Sequence, residues 1–165
     1  MARKERVQKS NAMRELDRAG ISYDAVDLGS EEDVSRGLGE RMATLARMDL
    51  DATFKTLVCV SPQEDYVVCC IPVAQELDLK KAAQAAGEKS LALMPLRDLE
   101  LVTGYVRGGC SPIGMKKAFP TLVDETAQLF DRMAISGGRR GLSLILSPED
   151  LRRFCSAAYA DIIRI

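Results

Sequence analysis

The chain has 165 residues, 47% of them hydrophobic and 28% charged, with a formal net charge of −1 and no histidine. That composition belongs to an ordinary folded domain, and without histidine a Ser-His-Asp triad, a Cys-His dyad and a His-ligated zinc are all excluded. No overall basic field advertises nucleic acid, so an anionic partner has to be met by local clusters of Lys and Arg.

Residues 1–165 are expected to form a single α/β domain of α+β type. The opening "MARKERVQKS" leads into no apolar signal core, and no apolar run is long enough to span a bilayer. A cytoplasmic protein with no membrane partner is expected. In chain order, residues 7–19 read as a helix stopped by Gly20, and "ISYDAV" (21–26) as a short strand. Residues 27–40 are a polar surface loop, and 40–47 a short helix. "FKTLVCV" (54–60) and "YVVCCI" (66–71) form a hairpin around "SPQED". Asp78 caps a helix that Gly87 ends. "SLALM" (90–94) is a strand, and residues 95–103 a helix ended by Gly104. Strands follow at 121–124, 132–136 and 142–147. Ser147-Pro148-Glu149-Asp150 opens the last helix, whose apolar stripe is Leu151, Phe154, Cys155, Ala158 and Ile162. So many consecutive strands argue for a mixed, mostly antiparallel sheet with flanking helices.

The five cysteines, Cys59, Cys69, Cys70, Cys110 and Cys155, are odd in number and lack CxxC spacing, so they read as buried reduced thiols. No metal and no cofactor are expected. Strand alternation puts Lys55 on one face with Leu57 and Cys59, either as a strand-end lysine reaching water or as a cation aimed into a pocket. "GYVRGGCSPIGMKK" (104–117) holds Gly108 and Gly109, whose bare N–H groups can form an anion-binding nest, and Ser111-Pro112 stiffens the turn. It matches neither the Walker A nor the dinucleotide pattern. A second loop, "ISGGRRG" (135–141), carries Ser136, Gly137, Arg139 and Arg140, with arginines suited to phosphate or to an exposed hairpin turn. With Lys80-Lys81 and Lys116-Lys117 these make three basic clusters, candidates for touching a polyanion.

Taken in order, "FKTL" (54–57), "PVAQELDLKKAAQAAG" (72–87), "TGYVRGGCSPIGMKK" (103–117), "PTLVDET" (120–126), "ISGGRRG" (135–141) and "LRRFCSAAYADI" (151–162) resemble the YbaK/EbsC family. These are free-standing trans-editing aminoacyl-tRNA deacylases related to the editing domain of prolyl-tRNA synthetase. The resemblance implies a compact fold with a mixed, barrel-like sheet and a Cys-tRNA(Pro) substrate. It implies catalytic roles for Lys55 and Gly108, Lys55 holding the 3′-terminal adenosine and the Gly108 main chain meeting the aminoacyl group. Substrate-binding positions are Thr56, Gly109, Ser111, Ser136, Gly137 and Ser143. Lys80, Lys81, Lys116, Lys117, Arg139 and Arg140 are the tRNA-binding candidates, and prolyl-tRNA synthetase is a possible partner.

Such an ester hydrolase needs no side-chain nucleophile, because a cysteinyl thiolate can attack its own carbonyl. Three positions depart from the Cys-specific pattern. Leu28 and Gly37-Leu38 replace aromatics, and Ser143 replaces an aspartate. These changes imply a wider pocket, or another mischarged amino acid such as alanine cleaved by water. The remaining alternative is a non-catalytic tRNA- or nucleotide-binding module of the same fold.

Overall fold

The structure is a computed structural model that describes residues 8–29 and 38–165. Helix α1 spans Asn11–Arg18, with the Ser10 hydroxyl accepting the Met13 N–H at 3.2 Å. It therefore starts later than the periodicity suggested, because Ser10 is the cap rather than a helical residue. Strand β1, Asp24–Asp27, is also shifted along the chain from its expected place. Helix α2, Leu38–Ala46, is followed by a 3-10 turn at Leu50–Ala52. Then come β2 (Phe54–Val60), β3 (Tyr66–Pro72), α3 (Leu79–Ala86), β4 (Ala92–Leu93) and α4 (Leu96–Thr103). The second half holds β5 (Thr121–Asp124), a 3-10 turn at Glu125–Leu129, β6 (Met133–Ser136), β7 (Leu142–Leu146), α5 (Pro148–Cys155) and β8 (Ala158–Ala160).

The caps explain most of these boundaries. The Asp78 carboxylate accepts the Lys80 and Lys81 N–H groups, and Gly87 closes α3 in the left-handed region at φ 73°. The last helix corrects the sequence reading. Its apolar stripe was expected to run to Ile162, but α5 ends at Cys155 and Ser156 turns left-handed at φ 49°. Residues 158–160 then become β8, which runs parallel to β5 with Val123 opposite Tyr159. The stripe failed because Ala158 and Ile162 are placed by a strand and its extension, not by a fourth helical turn.

Among the described residues, five strands form one sheet in the order β4-β2-β3-β5-β8, and three form another in the order β1-β7-β6. The β3–β5 and β5–β8 pairs are parallel and the other strand pairs antiparallel. The five-stranded sheet is mixed as expected and the three-stranded one wholly antiparallel, and the two do not close into a barrel. They meet where Thr53, just before β2, bridges Ala134 of β6.

Alternation along the larger sheet gives it two buried faces. Phe54, Val58, Val68, Cys70 and Val123 pack with α1, with β6 and β7, and with Leu151 of α5. Cys59, Val67, Cys69, Ile71 and Leu122 pack against Ala82 and Ala83 of α3 and against Ile162. Strand β2 is central to both, yet only one of its edges is fully paired. β3 lies along its whole length, whereas β4 reaches only Cys59 and Val60.

The fully buried Asp124 ties the carboxyl-terminal segment to this frame. One carboxylate oxygen accepts the Ile162 N–H at 3.1 Å, and the other accepts the Thr126 hydroxyl at 2.6 Å and its N–H at 3.2 Å. Asp124→Ala strands these donors and should cost about 3 kcal/mol, lowering the thermal midpoint by roughly 10 °C. A midpoint unchanged within error in a thermal melt would refute this tethering role.

Candidate functional site

A cavity of about 590 Å³ opens beside the incompletely paired edge of β2. Its base is apolar: Phe54, Val58, Met94, Leu99, Ile135 and Leu142 are all buried. Its mouth carries Lys55, Arg107 and Glu40, with Leu93 and Leu96 exposed beside them. The Val58 carbonyl accepts the Met94 N–H at 2.9 Å on this edge. In an antiparallel strand alternate residues face the same way, so the main-chain groups of Thr56 also point toward the gap.

Five of the expected site residues line this one cavity: Lys55, Thr56, Gly108, Ser136 and Ser143. They come from three separate parts of the chain. Lys55 and Thr56 lie on β2, and Ser136 and Ser143 are opposed partners at the end of the β6–β7 hairpin. Gly108 sits in a turn where the Gly109 N–H is donated to the Val106 carbonyl at 2.9 Å. Its φ of 82° is that of the third residue of a type II turn, which glycine alone adopts without strain. Among the described residues, no group of the chain accepts the Gly108 N–H.

Gly109, Ser111 and Gly137 lie outside the cavity lining and have structural surroundings instead. A Cβ on Gly109 would stand 2.9 Å from Arg139 Cα, so this glycine lets the two glycine loops touch backbone to backbone. Ser111 is wholly buried, and its hydroxyl accepts the Ile113 N–H at 3.2 Å. A Cβ on Gly137 would collide with the Leu142 side chain at 2.6 Å. Tyr105 joins the loops a second time. Its hydroxyl donates to the Ile113 carbonyl at 2.5 Å, and its ring lies where a Gly138 Cβ would come within 3.0 Å. Burial pushes the Tyr105 phenol up to about 12, so it is a fixed donor at neutral pH.

Much of the positive charge that looked free in the sequence is engaged within the chain. Lys81 pairs with Asp161 at 3.0 Å and donates to the Ile163 carbonyl at 2.9 Å. Arg139 pairs with Asp27 of β1 at 2.8 Å. Burial raises the Asp27 carboxyl, but the Arg139 guanidinium and the Gly29 N–H outweigh it and hold the group below the usual range. Arg140 donates from Nε to the Arg107 carbonyl at 2.9 Å. The Lys116 stem packs over Gly104, its Cγ 3.2 Å from where a Cβ would stand, and its ammonium lies 3.5 Å from the Leu101 carbonyl. Lys80 and Lys117 are exposed, and Lys117 borders a different hollow beside α5.

The polar groups of the lining are quiet. The Ser143 hydroxyl donates to the Ile135 carbonyl at 3.3 Å, and the Ser136 hydroxyl accepts the Gly138 N–H at 3.3 Å. Thr56 Oγ1 faces the Cys70 sulfur at 3.9 Å. Cys110 also lines the cavity, but burial pushes its thiol up to about 12. Arg107, Glu40 and Cys110 were not among the expected site residues. Arg107 could have been found, since it immediately precedes Gly108 within the loop already singled out. Of the positions that departed from the Cys-specific pattern, Leu28 lies outside the lining and donates its N–H to Gly141, Ser143 lies in it, and Gly37 falls outside the described residues. Among the described residues, no helix is long and apolar enough to cross a membrane.

Comparison with known proteins agrees with this geometry. The family model for the aminoacyl-tRNA editing domain matches residues 35–154. The protein EbsC of Enterococcus faecalis, named as a Cys-tRNA(Pro)/Cys-tRNA(Cys) deacylase, is 42% identical over 162 residues, covering 98% of each chain. Among solved structures, one described as a trans-editing enzyme for prolyl-tRNA synthetase superposes with a TM-score of 0.82 at 22% identity, covering 96% of this chain and all of that one. The hypothetical protein APE2540 gives the same TM-score at 20% identity over 94% of this chain and all of its own. These two establish the fold. The family match and the full-length relative together establish more: the chain belongs to the aminoacyl-tRNA editing domain family, and its enzyme class is aminoacyl-tRNA deacylase.

Proposed function

We propose that the substrate is mischarged tRNA(Pro), with Cys-tRNA(Pro) foremost, and that the nucleophile is the substrate's own thiol. The observation that carries this reading is chemical. The cavity pairs a cation and a bare glycine turn with hydroxyls that are hydrogen-bonded or face a thiol, and with a Cys110 thiol held near 12. None of these is an activated nucleophile at neutral pH. In the proposed reaction the cysteinyl sulfur attacks its own carbonyl carbon and the bond from that carbon to the ribose oxygen breaks. The ribose oxygen then takes up a proton, leaving free tRNA and a cyclic thiolactone. Position does most of the work, since well-oriented intramolecular attack is worth effective molarities of about 10⁵ M or more.

In this scheme Lys55 holds the 3′-terminal adenosine, and the Gly108 main chain orients the aminoacyl carbonyl, with Thr56, Ser136 and Ser143 around them. Ser143 favours one second reading. Its hydroxyl is turned into the hairpin ladder, so the wall beside it offers no acid to a substrate and would suit the methyl of alanine, with water attacking. A cytoplasmic location and docking on prolyl-tRNA synthetase belong to the same proposal.

The deciding experiment is deacylation of tRNA(Pro) charged with Cys, Ala, Ser or Pro by the purified protein. Cys-tRNA(Pro) should be cleaved fastest, and the Ser-charged form far more slowly because its hydroxyl is the weaker nucleophile. Faster turnover of the Ala form would replace the thiol mechanism with attack by water. Binding without turnover on all four would make the chain a binding module.

Lys55→Ala should lose about 1.5–3 kcal/mol of transition-state stabilisation, roughly one to two decades in rate, with the melting temperature of the wild type. Undiminished turnover would remove Lys55 from the site. The cysteines give an independent check. A thiol held near 12 is about one part in 10⁴ thiolate at pH 8. Iodoacetamide should therefore label Cys110 and Cys155 far more slowly in the native protein than in urea. Rapid native labelling of Cys110, with parallel loss of activity, would point to an enzyme thiolate.

A further inference from the structure

Arg140, with its basic neighbour, is the kind of residue expected to grip a tRNA phosphate, but its Nε–H is committed inside the chain. It is donated at 2.9 Å to the carbonyl of Arg107, the residue immediately before Gly108. That carbonyl belongs to the central peptide of the Val106–Gly109 turn, the one part of a β-turn that can face either way. In a type I turn both central residues have negative φ, and in a type II turn the central peptide is reversed and the third residue takes φ near +80°. The φ of 82° at Gly108 places the turn in the second form.

The Arg107 carbonyl and the Gly108 N–H are the two ends of one planar trans peptide, so they point in opposite directions. Arg107 and Gly108 both line the cavity, whereas Arg140 does not. Holding the carbonyl on the Arg140 side therefore leaves the Gly108 N–H directed away from Arg140, and no other group of the described chain accepts it. The anchor is itself fixed. Gly109 packs directly on the Arg139–Arg140 backbone, and Arg139 is tied to Asp27.

We propose that Arg140 is a positioning residue: by hydrogen-bonding the Arg107 carbonyl it fixes the orientation of the Arg107–Gly108 peptide and so presents the Gly108 N–H to the substrate. This rests on the reading of Gly108 as a substrate contact. A charged donor on a carbonyl shifts a two-way peptide equilibrium by about tenfold or more. Without it the turn can populate the reversed form, which presents a carbonyl where the substrate needs a donor.

Two substitutions separate this role from phosphate binding. Glutamine places a neutral N–H donor at the same distance along the side chain as arginine Nε, and methionine has similar length without a donor. In steady-state deacylation of Cys-tRNA(Pro), Arg140→Met should lower kcat about tenfold with KM changed less than about twofold, and Arg140→Gln should recover to within about threefold of wild type. If Arg140 instead grips phosphate, both variants raise KM alike and flatten the salt dependence, and the proposal is overturned. It is also overturned if Arg140→Met keeps full kcat while Gly108→Ala is inactive.

A second readout does not depend on activity. In NMR spectra, the Arg107 carbonyl carbon and the Gly108 amide should shift in Arg140→Met and return toward wild type in Arg140→Gln. Unmoved resonances in the methionine variant would refute the positioning role, even if the wild type cleaves none of the charged tRNAs. Conversely, shifted resonances in a protein that deacylates nothing would support the peptide anchor and remove the proposed function.

Discussion

The constraint on which the rest of this structure depends is the one-sided pairing of β2. A strand in the middle of a sheet normally satisfies both edges, and an unpaired edge is a liability that proteins cover or close. Here β3 covers one edge completely, while on the other β4 covers only the far end and the Thr53–Ala134 bridge closes the near one. Between these two contacts the sheets part, and the cavity fills the space. Gly108 of one glycine loop and Gly141 at the end of the other both line this space, the second carried there on the β6–β7 hairpin that the bridge holds against β2.

This arrangement assigns different work to glycines that look alike in the sequence. Gly108 has the backbone angle of a type II turn and an N–H without an acceptor among the described residues. Gly109 beside it is needed for the absence of a side chain, since the loops touch at its Cβ position. Gly141 has the same constraint at the base of the hairpin, where a Cβ would fall 2.2 Å from the Gly29 carbonyl oxygen. The neighbouring arginines follow the same logic. Arg139 binds β1 and Arg140 binds the turn, so this basic cluster fastens loops to one another rather than presenting an unengaged cationic surface.

Much of the architecture was legible because local chemistry decided it. Asp78, Gly87, Ser147 and Pro148 mark helix ends through hydrogen bonds and dihedral limits that reach only a few residues. The alternation of β2 likewise assigned Phe54 and Val58 to one core and Cys59 to the other. The carboxyl-terminal segment was not legible for the opposite reason. "AAYADI" continues a helical stripe as easily as it forms a strand, and the choice is made by parallel pairing with β5 and by the buried Asp124. In the site, resemblance supplied Lys55, Gly108 and Ser136, and the cavity brings them together. The fates of Ser111, Gly137 and Arg140 required distances between segments far apart in sequence, which no local pattern encodes.

The electrostatics of the cavity sharpen the chemical picture. With a net charge of −1, the chain exerts little long-range attraction on a polyanion, so recognition has to be made at contact, where Lys55 and Arg107 stand at the mouth of an apolar pocket. An apolar wall weakens competition from water and strengthens the few polar contacts that remain. A main-chain N–H suits such a wall better than a second cation. It carries no net charge to desolvate and cannot titrate, and its direction can be fixed by a neighbour on the far side of the same peptide. Half-buried Lys55 on β2 and exposed Gly108 on its turn reach the cavity from separate elements, so the cation and the neutral donor are supplied by a side chain on one and a main-chain peptide on the other.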